Sequence, residues 1–154
     1  YTTGGYYAIT RSEIGFEINY VSFENPIEKS FKDVFFSDWL EEPIGFGAFE
    51  NDQMIGYVEG SLEAWNNRFR ISNLCVFDSQ KRNQGLGSQL MAKMVEEAEK
   101  IKARMIVLET QSCNEKAIAF YKKHGFEIIG FDLYAYSNDD QKLHEVRIEM
   151  GKKL

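Results

Sequence analysis

The strongest constraint on the fold of this chain is a change of hydrophobic period at Gly85. Before it, short apolar runs read as strands: Ile44 to Glu50, Met54 to Leu62 and Arg70 to Phe77. The pairs Asn51-Asp52 and Asn66-Asn67 separate these runs, and such pairs favour tight turns. Three antiparallel strands are expected, leading to the middle of the chain. After Gly85, apolar residues recur at Leu86, Leu90, Met94, Ala98 and Ile101, the i, i+4 stripe of an amphipathic helix. The join is therefore strand, glycine loop, helix.

The remaining segments extend this mixed α/β pattern. Met105 to Leu108 reads as a short buried strand. Asn114 to His124 returns to helical spacing, and Gly125 stands where a helix-terminating glycine belongs. Phe126 to Tyr136 and Val146 to Met150 alternate like strands. Nearer the start, Phe16 to Phe23 reads as a strand. Ile27 to Trp39 has roughly helical spacing, through Ile27, Phe31, Val34, Phe35 and Trp39, and Pro43 ends it. Neither a repeat nor a linker interrupts the 154 residues, so one domain over 1–154 is expected, with helices against a mostly antiparallel sheet.

Charge and cysteine content narrow the class. The net charge of −6 opposes phosphate backbones, so no nucleic-acid partner is expected, and a cationic small molecule or peptide is favoured. No apolar run approaches the ~20 residues of a membrane span, so no membrane partner is expected. Cys75 and Cys113 read as free thiols in a reducing cytoplasm. The chain begins at Tyr1 rather than Met, which leaves the position of the native N-terminus open. A homodimer is compatible with all of this.

A glycine loop feeding a helix start is an anion cradle, because the first helical N–H groups lack partners inside the helix and the dipole favours negative charge there. Here the loop spans Val76 to Gly87. A Walker A loop requires Gly-Lys-Ser/Thr, but Gly87 precedes Ser88-Gln89. A dinucleotide fingerprint requires a third glycine where Leu90 stands, which argues against a nicotinamide-dependent oxidoreductase. What remains is Arg82-x-x-Gly85-x-Gly87. It resembles the coenzyme A pyrophosphate motif of the GNAT superfamily of acetyltransferases, although alone it also fits a loop that merely turns the chain.

A second motif follows at the spacing that superfamily shows: Asn114-x-x-Ala117-x-x-Phe120-Tyr121-x-x-x-Gly125-Phe126. The resemblance implies a GNAT fold with two splayed parallel strands and acetyl coenzyme A in their opening. Arg82, Asn83, Gln84, Gly85, Leu86, Gly87 and Ser88 would then hold the pyrophosphate. Leu74, Cys75 and Val76 would pair with the pantetheine and polarise the thioester carbonyl, Asn114 would bond the pantetheine arm, and Tyr121 would sit beside the sulfur. Asn114 also reads as a helix N-cap and Tyr121 as a packing residue. A narrower likeness rests on Leu108-Glu109-Thr110-Gln111, on Gly125 to Asp132, and on Trp65-Asn66 with Arg68. It is to the streptothricin acetyltransferase branch, whose acceptor is an amine of the β-lysine part of that antibiotic. A protein or peptide amine stays open as the acceptor, and so does a non-catalytic coenzyme A-binding module, although Tyr121 argues against the latter.

Acetyl transfer to nitrogen sets two demands. An alkylamine with a pKa near ~10 must lose a proton before it attacks, and the thiolate is best protonated as it leaves. Tyr121 suits the donor. For the acceptor side the candidates are Glu109, Glu59 and Glu63. Glu109 ends an apolar strand, where burial is expected to raise a carboxylate's affinity for a proton. Glu59 reads equally as structural or functional, and Glu63 reads as a solvated hairpin residue. Glu59, Glu109 and Asp132 are also candidate contacts for the acceptor's cation. Cys75 paired with a histidine would offer an acyl-enzyme route, but no pattern ties His124 or His144 to it. Two Cys and two His at these spacings form no metal site.

Overall fold

A computed structural model describes residues 1–32, 34–77 and 85–154 of the chain. In order the elements are β1 (Thr2–Arg11), β2 (Phe16–Glu28), β3 (Ile44–Glu50), β4 (Gln53–Glu63), β5 (Arg68–Val76), α1 (Leu86–Lys100), β6 (Met105–Gln111), α2 (Glu115–Lys123), β7 (Glu127–Asp132), α3 (Asp140–Leu143) and β8 (Arg147–Lys153). β1 and β2 form a two-stranded sheet. The main sheet has strand order β3-β4-β5-β6-β8-β7 and mixes parallel with antiparallel pairs. Two units are distinguishable, residues 33–108 with 151–154, and residues 1–32 with 109–150.

The first of these units is built on the antiparallel meander β3-β4-β5. Asn51 and Asp52 take φ of 48° and 63°, the left-handed pair a two-residue hairpin turn requires. Asn67, at φ 55°, serves the next turn. α1 packs Leu90, Met91, Met94 and Ala98 against the sheet, where Val58, Phe69, Ile71 and Ile106 are buried. The approach is close at Gly56, where a Cβ would lie 3.1 Å from Leu90 Cδ1 and 3.2 Å from Leu86 Cδ2.

β5 contains one extra residue. Its pairing with β4 runs Glu63↔Arg68 to Gly60↔Ile71, then resumes at Glu59↔Asn73, so Ser72 is a bulge. At the same point Gly60 admits no side chain, since a Cβ there would lie 2.6 Å from Arg70 O. The parallel pairing of β5 with β6 runs from Arg68↔Met105 to Ile71↔Leu108, ending beside the bulge. β6 continues to Gln111 beyond the last pair, in agreement with the splayed parallel pair that the resemblance implies.

In the other unit the long β1-β2 hairpin and α2 are joined by Glu115. Its carboxylate accepts from Gly4 N at 2.7 Å and from the Tyr20 hydroxyl. Tyr7 N donates to Ser112 O at 3.0 Å and Ser112 N to Val146 O at 2.8 Å, tying β1 to the ends of β6 and β8. Ile9, Cys113, Ile118, Phe126 and Ile148 are buried here. Asp140, fully buried, accepts from Tyr136 N at 2.8 Å and Ser137 Oγ at 2.7 Å. α2 ends as expected, with His124 as C-cap and Gly125 at φ 85°.

Two expectations are corrected. The helix over Ile27 to Trp39 does not form; β2 continues to Glu28 and residues 34–42 are irregular. Phe31, Val34 and Trp39 are exposed by 61%, 68% and 67%, so a helix there would have no surface to bury its stripe against. Phe36 at φ 52° is also incompatible with one. The strand after Phe126 stops at Asp132, whose Oδ1 accepts Tyr134 N at 3.0 Å and turns the chain. β1 and the short α3 were not expected.

Candidate active site

Gly85 is the N-cap of α1, with φ 87° and ψ −4°. Only glycine takes this left-handed conformation readily. Among the described residues no side chain caps α1, and its first turn contains no acidic residue. A Cβ placed on Gly85 would have no heavy atom of the described residues within 4 Å. Among the described residues no carboxylate stands in the first turn and a glycine opens the helix, which is what a pyrophosphate needs, so the residues present fit coenzyme A. Leu86, Gly87 and Ser88 form the half-buried first turn. Arg82, Asn83 and Gln84 lie outside the described residues. In the same unit Leu74, Cys75 and Val76 are half-buried and pair antiparallel with Val58, Tyr57 and Gly56. Cys75 and Cys113 are both free thiols.

Glu59 lies across from Asn73 beside the Ser72 bulge and is completely buried, 0% exposed. Three donors hold its carboxylate. Asn73 Nδ2 bonds Oε1 at 2.7 Å, while Phe36 N at 2.7 Å and the Tyr57 hydroxyl at 3.1 Å bond Oε2. Burial, then the bond to Glu59 and that group's charge, push the Tyr57 hydroxyl above its ordinary range. Sequence reasoning missed all three donors, because two come from neighbouring strand positions and the third from a segment expected to be helical.

Glu63 is not the solvated hairpin residue expected. It pairs with Arg68 Nε at 2.9 Å and Arg70 Nε at 2.5 Å on one face of the sheet. Burial raises its proton affinity, but Arg70 with Asn66 and Arg68 outweigh that, and the carboxyl sits below its usual range. Glu63 is thereby accounted for as a structural ion-pair centre.

In the unit containing α2, Asn114 is the helix N-cap and accepts Ala117 N at 3.3 Å. Tyr121 is half-buried on the same helix, its ring 5.6 Å from Phe120 and 6.1 Å from Phe126. Glu109 is exposed rather than buried, since it points to the opposite face of β6 from its buried neighbours Leu108 and Thr110, and Arg147 Nε on β8 stands 3.0 Å from its Oε2. The Tyr136 hydroxyl reaches Oε1 at 3.5 Å. Glu109, Arg147 and Tyr136 thus form one cluster, whereas Asp132 is exposed and bonded to its own turn. Arg147 and Tyr136 carried no motif that singled them out. His144 packs on Tyr6 at 3.9 Å and is held below its usual pKa by burial and then by Lys29. Among the described residues no group of His, Cys, Asp and Glu is arranged to hold a metal, and no helix is long and apolar enough to cross a membrane.

These features agree with comparisons to known proteins. Residues 14–126 match the Acetyltransferase (GNAT) family. The streptothricin acetyltransferase of Escherichia coli is 30% identical over 134 residues, 87% of this chain and 74% of that protein. Among solved structures, nourseothricin acetyltransferase aligns with a TM-score of 0.84 and 28% identity, over 99% of this chain and 86% of that one. A Bacillus anthracis protein assigned as a streptothricin acetyltransferase, in complex with acetyl coenzyme A, aligns with a TM-score of 0.82 and 26% identity, over 100% and 88%. With the glycine-started helix, the bulged strand and the second motif all in place, the chain belongs to the GNAT family and is an acetyl coenzyme A-dependent N-acetyltransferase.

Proposed function

We propose that the enzyme acetylates a primary amine of a small polycationic substrate, with streptothricin as the acceptor, in the cytoplasm. One observation carries this reading: the likeness to streptothricin and nourseothricin acetyltransferases runs over nearly the whole chain, 99% of it for the latter. The net charge of −6 supports a cationic acceptor.

The proposed chemistry is direct attack in a ternary complex. The first turn of α1, from Gly85 to Ser88, and the preceding Arg82, Asn83 and Gln84 hold the pyrophosphate. The backbone of Leu74, Cys75 and Val76 binds pantetheine and polarises the thioester carbonyl, and Asn114 bonds the pantetheine arm. The deprotonated amine attacks the thioester carbon; the C–N bond forms, the C–S bond breaks, and the leaving sulfur takes the Tyr121 hydroxyl proton. The resulting phenolate is reprotonated from solvent. Glu109 accepts the amine's proton, directly or through water, and Asp132 attracts the cation. Glu59, buried and held by three donors, anchors the strand and the segment around Phe36 beside the site.

An assay of acetyl coenzyme A consumption against streptothricin, aminoglycosides, polyamines and peptides tests the proposal. Turnover is expected to be highest with streptothricin. A preference for a peptide amine, or no advantage over a simple alkylamine, overturns the substrate assignment.

A further inference from the structure

The β1-β2 hairpin grips α2 at both of its ends. α2 has nine residues and buries only Ile118. A helix this short is marginal by itself, so its direction is set by what holds it. At its N-terminal end the Glu115 carboxylate accepts from Gly4 N at 2.7 Å through Oε1 and from the Tyr20 hydroxyl through Oε2. At the other end Lys122 Nζ stands 5.0 Å from the centre of the Tyr7 ring, a cation–π contact. Tyr7 meets Tyr20 edge-on at 5.5 Å, so the two grips share one aromatic pair.

The local sequence of the hairpin makes this reach possible. Its pairing passes from Thr3↔Ile27 directly to Gly5↔Ser22, so residues 23–26 of β2 stand against Gly4 alone. That break takes Gly4 out of the ladder, and Glu115 supplies the acceptor its N–H needs. Thr3, 1% exposed, fixes the break by donating its hydroxyl to Gly5 O at 2.8 Å. Gly5 opens the way for Tyr20. A Cβ on Gly5 would lie 2.5 Å from the Tyr20 hydroxyl oxygen and 2.7 Å from its Cζ, so a side chain there would displace the ring. The bond to Glu115 raises the pKa of the Tyr20 hydroxyl, and with the Gly4 N–H it lowers that of the Glu115 carboxyl. Donor and charged acceptor are thus both in place at neutral pH.

We propose that the hairpin positions α2 for acetyl transfer: Gly4 and Tyr20, through Glu115, fix the Asn114 end of the helix, and Tyr7, through Lys122, fixes the Tyr121 end. Glu115 follows the N-cap Asn114 and Lys122 follows Tyr121, so each grip holds the backbone next to a residue with an assigned role. This rests on the roles proposed above for Asn114 at the pantetheine arm and Tyr121 as the acid. Tyr7, Tyr20, Glu115 and Lys122 are positioning residues that act through those two. A displacement of about 1 Å at a reacting group costs up to on the order of 10²-fold in rate, so a small shift of so short a helix registers in the kinetics.

Calorimetric titration of the whole protein with acetyl coenzyme A, without an amine, reads the Asn114 end. Tyr20→Phe removes only the hydroxyl, and Glu115→Ala removes both bonds; each is expected to weaken Kd by roughly 3- to 30-fold. Glu115→Gln, which still offers Gly4 N an oxygen, should recover part of the loss. Added to Asn114→Ala, Tyr20→Phe should cost nothing further. Wild-type Kd in folded Tyr20→Phe and Glu115→Ala, or full additivity with Asn114→Ala, overturns the proposal at that end. Lys122→Met keeps the stem and removes the charge. With an amine that the wild type acetylates, its kcat is expected to fall by roughly 2- to 5-fold at unchanged Kd, and not at all in a Tyr121→Phe background. Unchanged kcat in folded Lys122→Met, or the same fall in both backgrounds, overturns it at the other end. The assigned roles fail separately. Asn114→Ala with wild-type Kd removes Asn114 from the pantetheine arm. The grip is then read from the Ala117 amide resonance, which reports the Asn114 cap and which Tyr20→Phe is expected to shift; a stationary resonance overturns the grip.

Discussion

Replacing Gly85 by alanine separates two contributions at the start of α1. The φ of 87° lies in the left-handed region, where a Cβ crowds the following carbonyl. The conformational cost of alanine there is about 1–2 kcal/mol, and the stiffer unfolded chain returns about 0.4–1 kcal/mol. No clash with the described residues is added, since none of their heavy atoms lies within 4 Å of that Cβ. The net loss is about 1 kcal/mol, or a fall of about 2–4 °C in Tm for a chain of this size. Asparagine tolerates the left-handed region better than alanine, so Gly85→Asn should lose less than half as much. Acetyl coenzyme A affinity is the second reading. If backbone N–H groups of this turn hold the pyrophosphate, reorienting one loses a charge-assisted bond of about 1.5–3 kcal/mol, roughly a 10- to 100-fold weaker Kd by calorimetry. Gly85→Val should lose the most. An alanine variant as stable as the wild type would refute the left-handed assignment. A folded alanine variant with unchanged Kd would remove the loop from the ligand site.

Tyr121→Phe retains the ring and removes the proton, so kcat should fall by about 10²–10⁴-fold where rapid-quench measurements show chemistry to be limiting; full kcat there rules out the acid role. Glu109→Gln should lower kcat for the amine by on the order of 10²-fold and flatten the acid limb of the pH profile, with acetyl coenzyme A affinity intact; a raised KM with normal kcat would make Glu109 a cation contact instead. His144 gives a stability prediction. Burial and Lys29 lower its pKa in the fold, so below the unfolded value of ~6.5 the unfolded chain binds a proton that the fold resists. Thermal unfolding from pH 8 to 5 should therefore show stability falling through that window, and His144→Asn, suited to φ 60°, should remove that component. Parallel pH profiles for the two proteins would rule it out.

The central elements were legible because their signals are local. Asn51-Asp52, the α1 stripe and Gly125 each state a conformation within a few residues, and each formed as read. The segment 34–42 misled because helical spacing reports which residues are apolar, not whether a surface exists to cover them. Phe31, Val34 and Trp39 are left mostly exposed. β1 was missed because Gly4 and Gly5 interrupt any side-chain alternation near its start, and its pairing with β2 is what makes it a strand. Site chemistry was less legible than the motifs. Glu109 stood at the end of an apolar strand, but its environment is set by Arg147, 38 residues away along the chain. Likewise, no sequence signal joins Glu59 to the Phe36 amide.

The surplus residue in β5 also bears on how this strand can change over evolutionary time. Gly56 faces α1, which places Val58, Gly60 and Leu62 on that face of β4, with Leu74 and Val76 beyond the bulge and Ile71 and Phe69 before it. Arg68, Arg70 and Asn73 face the other way, with Glu63 and Glu59. The apolar rhythm of β5 therefore slips by one at Ser72. A genetic deletion of that single codon would leave every cross-strand neighbour and every facing as it is, whereas losing Arg70 would invert the residues on one side of it relative to α1. Of the positions inside the strand, Ser72 is the one whose loss keeps the register, and a series of single-residue deletions through Arg68–Val76, scored by folding, would read that position out directly.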